Sequence, residues 1–340
     1  MANLFKGTNI NSYFKNKYQK YVALFASGGG NDVFSTMTIA KYLKQFNLNI
    51  RIYSMLGITP FHYVDRPSIF KKEEPLIQIS NNFHRYLMLN PPKEIRNTEH
   101  IIPEVLDKFE LNDVSVKLIS SKYNLEYLTE VINQDLKSFC SDFDNLSCIV
   151  CDFGGDILCD GEPTTFSPEL DSISLNIVSH LDKKITDKLV MLSWLGIDGE
   201  LTPNVLEEKL KTLESKMIVS DIINPINPVY EQFKIIFEDK IKPLRTGNTI
   251  PNALNLFNDF EKNNNKMIEI NLSKQIKIRD TVFKQNPKIV INRTACATSD
   301  KKVMINKLGI FITSIISCFK GMSGFVFSFS KGTSFIFQEK

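Results

Sequence analysis

Three times in this chain an apolar run breaks into a glycine turn that carries carboxylates, and helical spacing follows each break. The first run is Tyr21-Val-Ala-Leu-Phe-Ala26, followed by Ser27-Gly28-Gly29-Gly30-Asn31-Asp32. Val33, Met37, Ala40 and Leu43 then mark one face of a helix reaching to Phe46. The second run, Cys148 to Cys151, stops at Asp152-Phe153-Gly154-Gly155-Asp156, and Ser167-Pro168 opens a segment whose helix spans Asp171 to Leu181. The third, Lys188 to Trp194, ends in Gly196-Ile197-Asp198-Gly199-Glu200, after which Thr202 and Pro203 suit an N-cap and a first turn. Strand, turn and helix make half of a strand–helix–strand unit. Parallel strands require such long crossovers, so a series of them predicts a doubly wound, mostly parallel α/β sheet with helices on both faces. The residues between the three turns do not match, so this is a recurring solution within one sheet and not a sequence repeat.

The remaining segments fill in around that plan. Ile50 to Tyr53 and Val114 to Leu118 alternate like strands, and Leu125 to Phe139 has helical spacing. Prolines interrupt the stretch from Ser54 to Asn112, which predicts loops and short elements able to cover a site. Met1 to Lys20 is a polar lead-in, residues 21–219 form the ligand-binding core, and residues 220–340 form a less regular part. That last part is expected to be helix and loop from Ser220 to Pro287, with a late strand at Lys288 to Asn292 completing or flanking the sheet.

Composition narrows the class of function. A net charge of +3 over 340 residues gives no electrostatic footprint for nucleic acid or an anionic membrane. The apolar run from Leu308 to Phe319 falls short of the roughly 20 residues that cross a bilayer, which predicts a buried strand or helix. The first twenty residues lack the apolar core of a secretory signal, and six cysteines in this length are no disulfide framework. The expectation is a cytoplasmic protein with reduced thiols.

Chemistry concentrates at the three turns. A glycine turn opening a helix presents backbone N–H groups and the positive end of the helix dipole, which suits a phosphate. Gly28, Gly29, Gly30, Asn31 and Asp32 are therefore candidate ligand contacts, although the stretch is neither a Walker loop nor Gly-x-Gly-x-x-Gly. Asp32 would repel a bare phosphate, so it is read either as a contact to a hydroxyl or metal, or as a cap. Gly154, Gly155 and Asp156 join this set. Asp152, Asp156 and Glu162 could hold Mg²⁺ through oxygen ligands, or accept hydrogen bonds from sugar hydroxyls. Asp198 and Glu200 are candidate general bases, a role open to a carboxylate whose pKa like-charged neighbours raise.

Other residues carry weaker signals. Cys148 and Cys151 have Cys-x-x-Cys spacing inside a strand, where residues three apart face opposite sides, so zinc is not expected. His62, His84, His100 and His180 make no metal spacing. Arg66 in the covering loop could clamp a phosphate, and Thr294, Thr298 and Asp300 could close the crevice.

Taken together, Gly28-Gly29-Gly30-x-Asp32-Val33, Asp152-x-Gly154-Gly155-Asp156-x-Leu158, Ser167-Pro168-x-x-Asp171 and Gly196-x-Asp198-Gly199-Glu200-Leu201 resemble the family called domain of unknown function 1152. The resemblance runs from about Tyr21 to Leu213. Asn31 stands where the family pattern has a further glycine. It implies a Rossmann-like fold and supplies no reaction. The leading expectation is an enzyme, hydrolase or transferase, acting on a nucleotide or sugar-phosphate-like ligand with Mg²⁺. Two rivals are a non-catalytic nucleotide- or metabolite-binding sensor and a divergent copy serving protein interaction.

Overall fold

A computed structural model describes residues 20–28, 30–55, 74–79, 101–120, 123–158, 168–185, 187–193, 208, 217–221, 229, 232–241, 268–271, 302–305 and 313–317. In chain order the elements are β1 (Tyr21–Ala26), α1 (Asn31–Leu43), β2 (Asn49–Met55), β3 (Leu76–Ile79), α2 (Ile102–Lys108), β4 (Ser115–Ile119), α3 (Leu125–Phe139), β5 (Leu146–Phe153), α4 (Pro168–His180) and β6 (Asp187–Ser193). Strands β7 (Met217–Asp221), β8 (Ile268–Asn271), β9 (Lys302–Ile305) and β10 (Thr313–Ser317) follow.

Among the described residues the main sheet has eight strands in the order β3-β4-β2-β1-β5-β6-β10-β7. Parallel pairing joins β4 to β2, β2 to β1, β1 to β5 and β5 to β6. Strand β3 runs antiparallel to β4, and β10 runs antiparallel to both β6 and β7. Six strands therefore share one direction, and the fold is the α/β, mostly parallel arrangement that the turn–helix grammar implies. Strands β8 and β9 form a separate antiparallel pair.

Both faces are apolar, as a sheet covered on both sides demands. Val22, Leu24 and Ala26 of β1 pack on one side with Phe34, Met37 and Ala40 of α1 and Val105 and Phe109 at α2. Ala23 and Phe25 point the other way, toward Leu128, Ile132 and Leu136 of α3 and Ile173, Ile177 and Val178 of α4. The helix spacing of α1 suggested one buried stripe. The structure instead buries it on every side, from Val33 through Ala40. A helix apolar nearly all round belongs in an interior, and Ser35, Thr36 and Thr38 are buried with it. Thr38 returns its hydroxyl to the Phe34 carbonyl at 2.9 Å, so its burial leaves no lost hydrogen bond.

Beyond residue 219 the sequence reading needs correcting. Ile268–Asn271 is a strand where helix and loop were expected, and the strand Met217–Asp221 runs into the start of that segment at Ser220 and Asp221. The apolar run from Leu308 to Phe319, expected to be a strand or helix, does contain a strand, β10, which lies in the main sheet between β6 and β7. The strand expected at Lys288 to Asn292 lies outside the described residues. Phe233 and Phe237 also join the α1 side, where Phe109 stacks on Phe233 with ring centroids 3.8 Å apart. No helix among the described residues is long and apolar enough to cross a membrane.

One polar cluster interrupts the α3 side. Asp135 of α3 accepts a hydrogen bond from the Tyr53 hydroxyl at 2.6 Å and pairs with Arg51 at 3.0 Å. Lys117 pairs with its other oxygen. Arg51 also donates to the Asp135 carbonyl at 2.9 Å and lies 4.4 Å from the centre of the Phe139 ring. Burial first, then the Asp135 charge, holds the Tyr53 phenol well above its usual pKa. Two cations and a phenol on three sheet positions thus converge on one carboxylate, which fixes α3 over β2 and β4. Removing one partner of a buried ion pair costs about 3–5 kcal/mol, because the remaining charges keep their desolvation penalty. Arg51, Lys117 and Asp135 are only partly buried, so Asp135→Ala should lower the free energy of unfolding by less, about 2–3 kcal/mol, in urea denaturation. Paired replacement of Asp135 and Lys117 by alanine should recover part of the loss, since only one cation is then left behind.

Candidate functional site

The parallel strands β4, β2, β1, β5 and β6 lie in the order that places a topological switch between β1 and β5. From β1 the chain passes into α1 on one face, and from β5 it passes toward α4 on the other. The two connections diverge, and the carboxyl ends of strands at such a switch point are where open α/β sheets bind ligands.

Register brings the first two glycine turns to this point. Ala26 lies opposite Cys151, and the Ser27 N–H donates to the Cys151 carbonyl at 2.7 Å. The turn residues Gly28 and Gly30 have φ of 80° and 68°, and Gly154 and Gly155 have φ of 125° and 106°. All four lie in the region that a Cβ would contest, so glycine is needed at both turns. Gly30 is also the N-cap of α1 and supplies no side-chain acceptor to its first-turn N–H groups. Helix α3, by contrast, has Asn124 accepting from the Tyr127 N–H at 2.8 Å.

A side chain ties the turns together. Asp32, in the first turn of α1, accepts the Phe153 N–H at 2.9 Å through Oδ1. The sequence suggests for Asp32 a contact to a hydroxyl or metal, or a cap on its own helix. The observed bond is neither, because it reaches a residue 121 positions away. Sequence reasoning had no signal for it beyond the presence of a carboxylate in each turn.

Asp152 occupies the β5 position after Cys151 and is 1% exposed, on the α4 side of the strand. Ser27 and Ser174 are buried polar residues at the same end of the sheet, and Ser174 of α4 donates to the Ala26 carbonyl at 3.1 Å. Asp156 begins a single 3-10 turn, Asp156–Leu158, closed by the Leu158 N–H to the Gly155 carbonyl at 3.0 Å. Gly28, Gly30, Asp32, Asp152, Gly154, Gly155 and the Asp156 backbone therefore belong to two adjoining turns at one sheet edge.

The third turn, Gly196 to Glu200, lies outside the described residues. Gly29, Glu162, Asp198 and Glu200 lie outside the described residues, as do His62, Arg66, Thr294, Thr298 and Asp300. Strand β6 ends with Ser193 opposite Phe153, so the chain leaves β6 at the same edge. Among the described residues no group of three or more His, Cys, Asp or Glu side chains is arranged to hold a metal.

The two strand cysteines face opposite sides, Cys151 with α1 and Cys148 with α3 and α4. Burial pushes both thiols far up. For Cys151 the Thr36 hydroxyl opposes this, while the charges of Asp152 and Asp32 add to it. Cys140 is shifted in the same direction, chiefly by burial. A raised native pKa stabilises the fold fully below the unfolded thiol value of about 8.5 and loses that contribution above it. Stability should therefore fall between about pH 8.5 and 10, approaching roughly 1.4 kcal/mol per pH unit for each of Cys148 and Cys151. Urea midpoints measured across this range should show a shallower slope in a Cys148→Ala, Cys151→Ala double variant.

Among curated proteins and among solved structures none matches the chain. A family profile described as a protein of unknown function does match, over residues 23–298, and so extends well past the Leu213 limit of the motif resemblance. The two adjoining glycine turns lie within that span, and the chain belongs to the DUF1152 family.

Proposed function

We propose that the crevice between the β1 and β5 turns binds a small phosphate- or hydroxyl-bearing ligand of the nucleotide or sugar-phosphate class, and that the protein is an enzyme acting on it. The observation that carries this reading is the switch point itself. Two turns with left-handed glycines bracket the place where the chain departs to opposite faces. At that place helix α1 begins without a side-chain N-cap. Backbone N–H groups there suit a phosphate, and the nearby carboxylates suit hydroxyls or a divalent cation that accompanies the phosphate.

In this proposal Gly28 to Gly30 meet the phosphate, with Gly154 and Gly155 forming the opposite wall. Asp152 and Asp156, with Glu162, hold Mg²⁺ or ligand hydroxyls. Asp198 or Glu200, which follow the β6 run in the sequence, serves as general base. The setting is cytoplasmic, where buried free thiols such as Cys148 and Cys151 stay reduced.

A ligand that binds only the folded state raises its melting temperature by mass action. A thermal-shift screen of nucleotides and sugar phosphates, each with and without Mg²⁺, tests the reading. Stabilisation that grows with Mg²⁺, accompanied by turnover, is expected. Stabilisation without turnover would leave a binding module, and no response from any compound would remove the ligand site altogether. Asp152→Asn should weaken the response at least tenfold in apparent affinity.

A further inference from the structure

We propose that Asp32 is a positioning residue that sets the width of the crevice and does not itself contact the ligand. The inference rests on the ligand-site reading above, yet it makes a claim about the unliganded protein that can be checked alone.

The Oδ1 atom of Asp32 accepts the N–H of Phe153, the last residue of β5, at 2.9 Å. Immediately beyond come Gly154 and Gly155, whose backbone has no Cβ to restrict it. An exit of this kind is free to swing unless something fixes its first peptide. Asp32 does so from the first turn of α1, the helix whose start forms the other wall. The Phe153 ring supports the same anchorage. It is 4% exposed and belongs to the apolar cluster that contains Val33 and Phe34 of α1. Ring and amide thus hold the β5 exit against α1 from two directions, and the Ser27 N–H to Cys151 carbonyl bond closes the same junction from β1.

A charge-assisted bond to a backbone amide is stronger than a neutral one, so a carboxylate suits a brace as well as it suits a ligand contact. The two roles separate on substitution. Asparagine keeps an acceptor oxygen for the Phe153 amide and removes the charge that a metal or ligand hydroxyl would use. Alanine removes both.

The experiment compares wild type, Asp32→Asn and Asp32→Ala by hydrogen exchange at the Phe153 amide without ligand, and by ADP affinity with and without Mg²⁺. Asp32→Asn should keep Phe153 protected and bind ADP within about threefold of wild type, the size of a modest neutral-for-charged exchange. Asp32→Ala should speed Phe153 exchange at least tenfold and weaken ADP by a similar factor. If Asp32→Ala does not fold, Asp32→Glu replaces it, with faster Phe153 exchange expected because the acceptor moves by one methylene. Equal loss of ADP binding in the asparagine and alanine variants would overturn the proposal, since charge would then be what matters. So would a Phe153 amide that exchanges at the wild-type rate in Asp32→Ala. Should wild type not bind ADP, the ligand-site reading loses that ligand, while the exchange rates still decide whether Asp32 braces the turn.

Discussion

The pairing of β1 with β5 is the constraint on which the candidate site depends. Six consecutive residue pairs, Tyr21 with Leu146 through Ala26 with Cys151, fix this register. A slip of one residue would turn every side chain on a strand to the opposite face. It would send Phe25 toward α1 if β1 slipped, or Cys151 toward α4 if β5 did, and either change spoils both apolar layers. Burial on two faces therefore enforces the alignment that also puts two distant turns side by side. Core packing thus sets the register of the two strands, while the Asp32 bond to the Phe153 amide holds the turn that leaves β5.

The helices show how the same sheet accommodates polar groups at different distances from the site. Helix α1 carries Ser35, Thr36 and Thr38 into a nearly dry layer, and a local bond to the preceding turn satisfies Thr38. Helix α3 instead brings Asp135 to meet Arg51, Tyr53 and Lys117 on the sheet. The Tyr53 ring stacks on Phe25 at 4.7 Å, so this polar cluster is joined directly to the aromatic packing of β1. Register on β1 and placement of α3 are thereby linked through one tyrosine.

Much of this was legible because local rules and global fold agree in the first half of the chain. The apolar run before Gly28, the helix from Leu125 to Phe139 and the glycine breaks each carry a mechanism that sequence displays directly. The Asp32 bond to Phe153 was not legible, since nothing local distinguishes a carboxylate aimed across a switch point from one that caps its own helix. Burial of α1 on all sides was missed for a related reason. Its periodic positions mark the sheet-facing stripe, whereas Phe34 and Ile39 are covered through tertiary packing. Strand β7 and the place of β10 between β6 and β7 were not legible, since strand pairing of this kind is set by context more than by propensity.

The position of β10 carries a consequence for how the molecule assembles. Strand β7 pairs with β6 only by way of β10, and β10 belongs to a part of the chain made much later than either. Until it arrives, the outer side of β6 presents an unpaired ladder of N–H and C=O groups beside an apolar surface. Such an edge invites pairing with another molecule, and contacts between sequence-distant strands form slowly. The strand that closes the β6 border is therefore made later than every other strand of the main sheet, and pairing at that border waits on it.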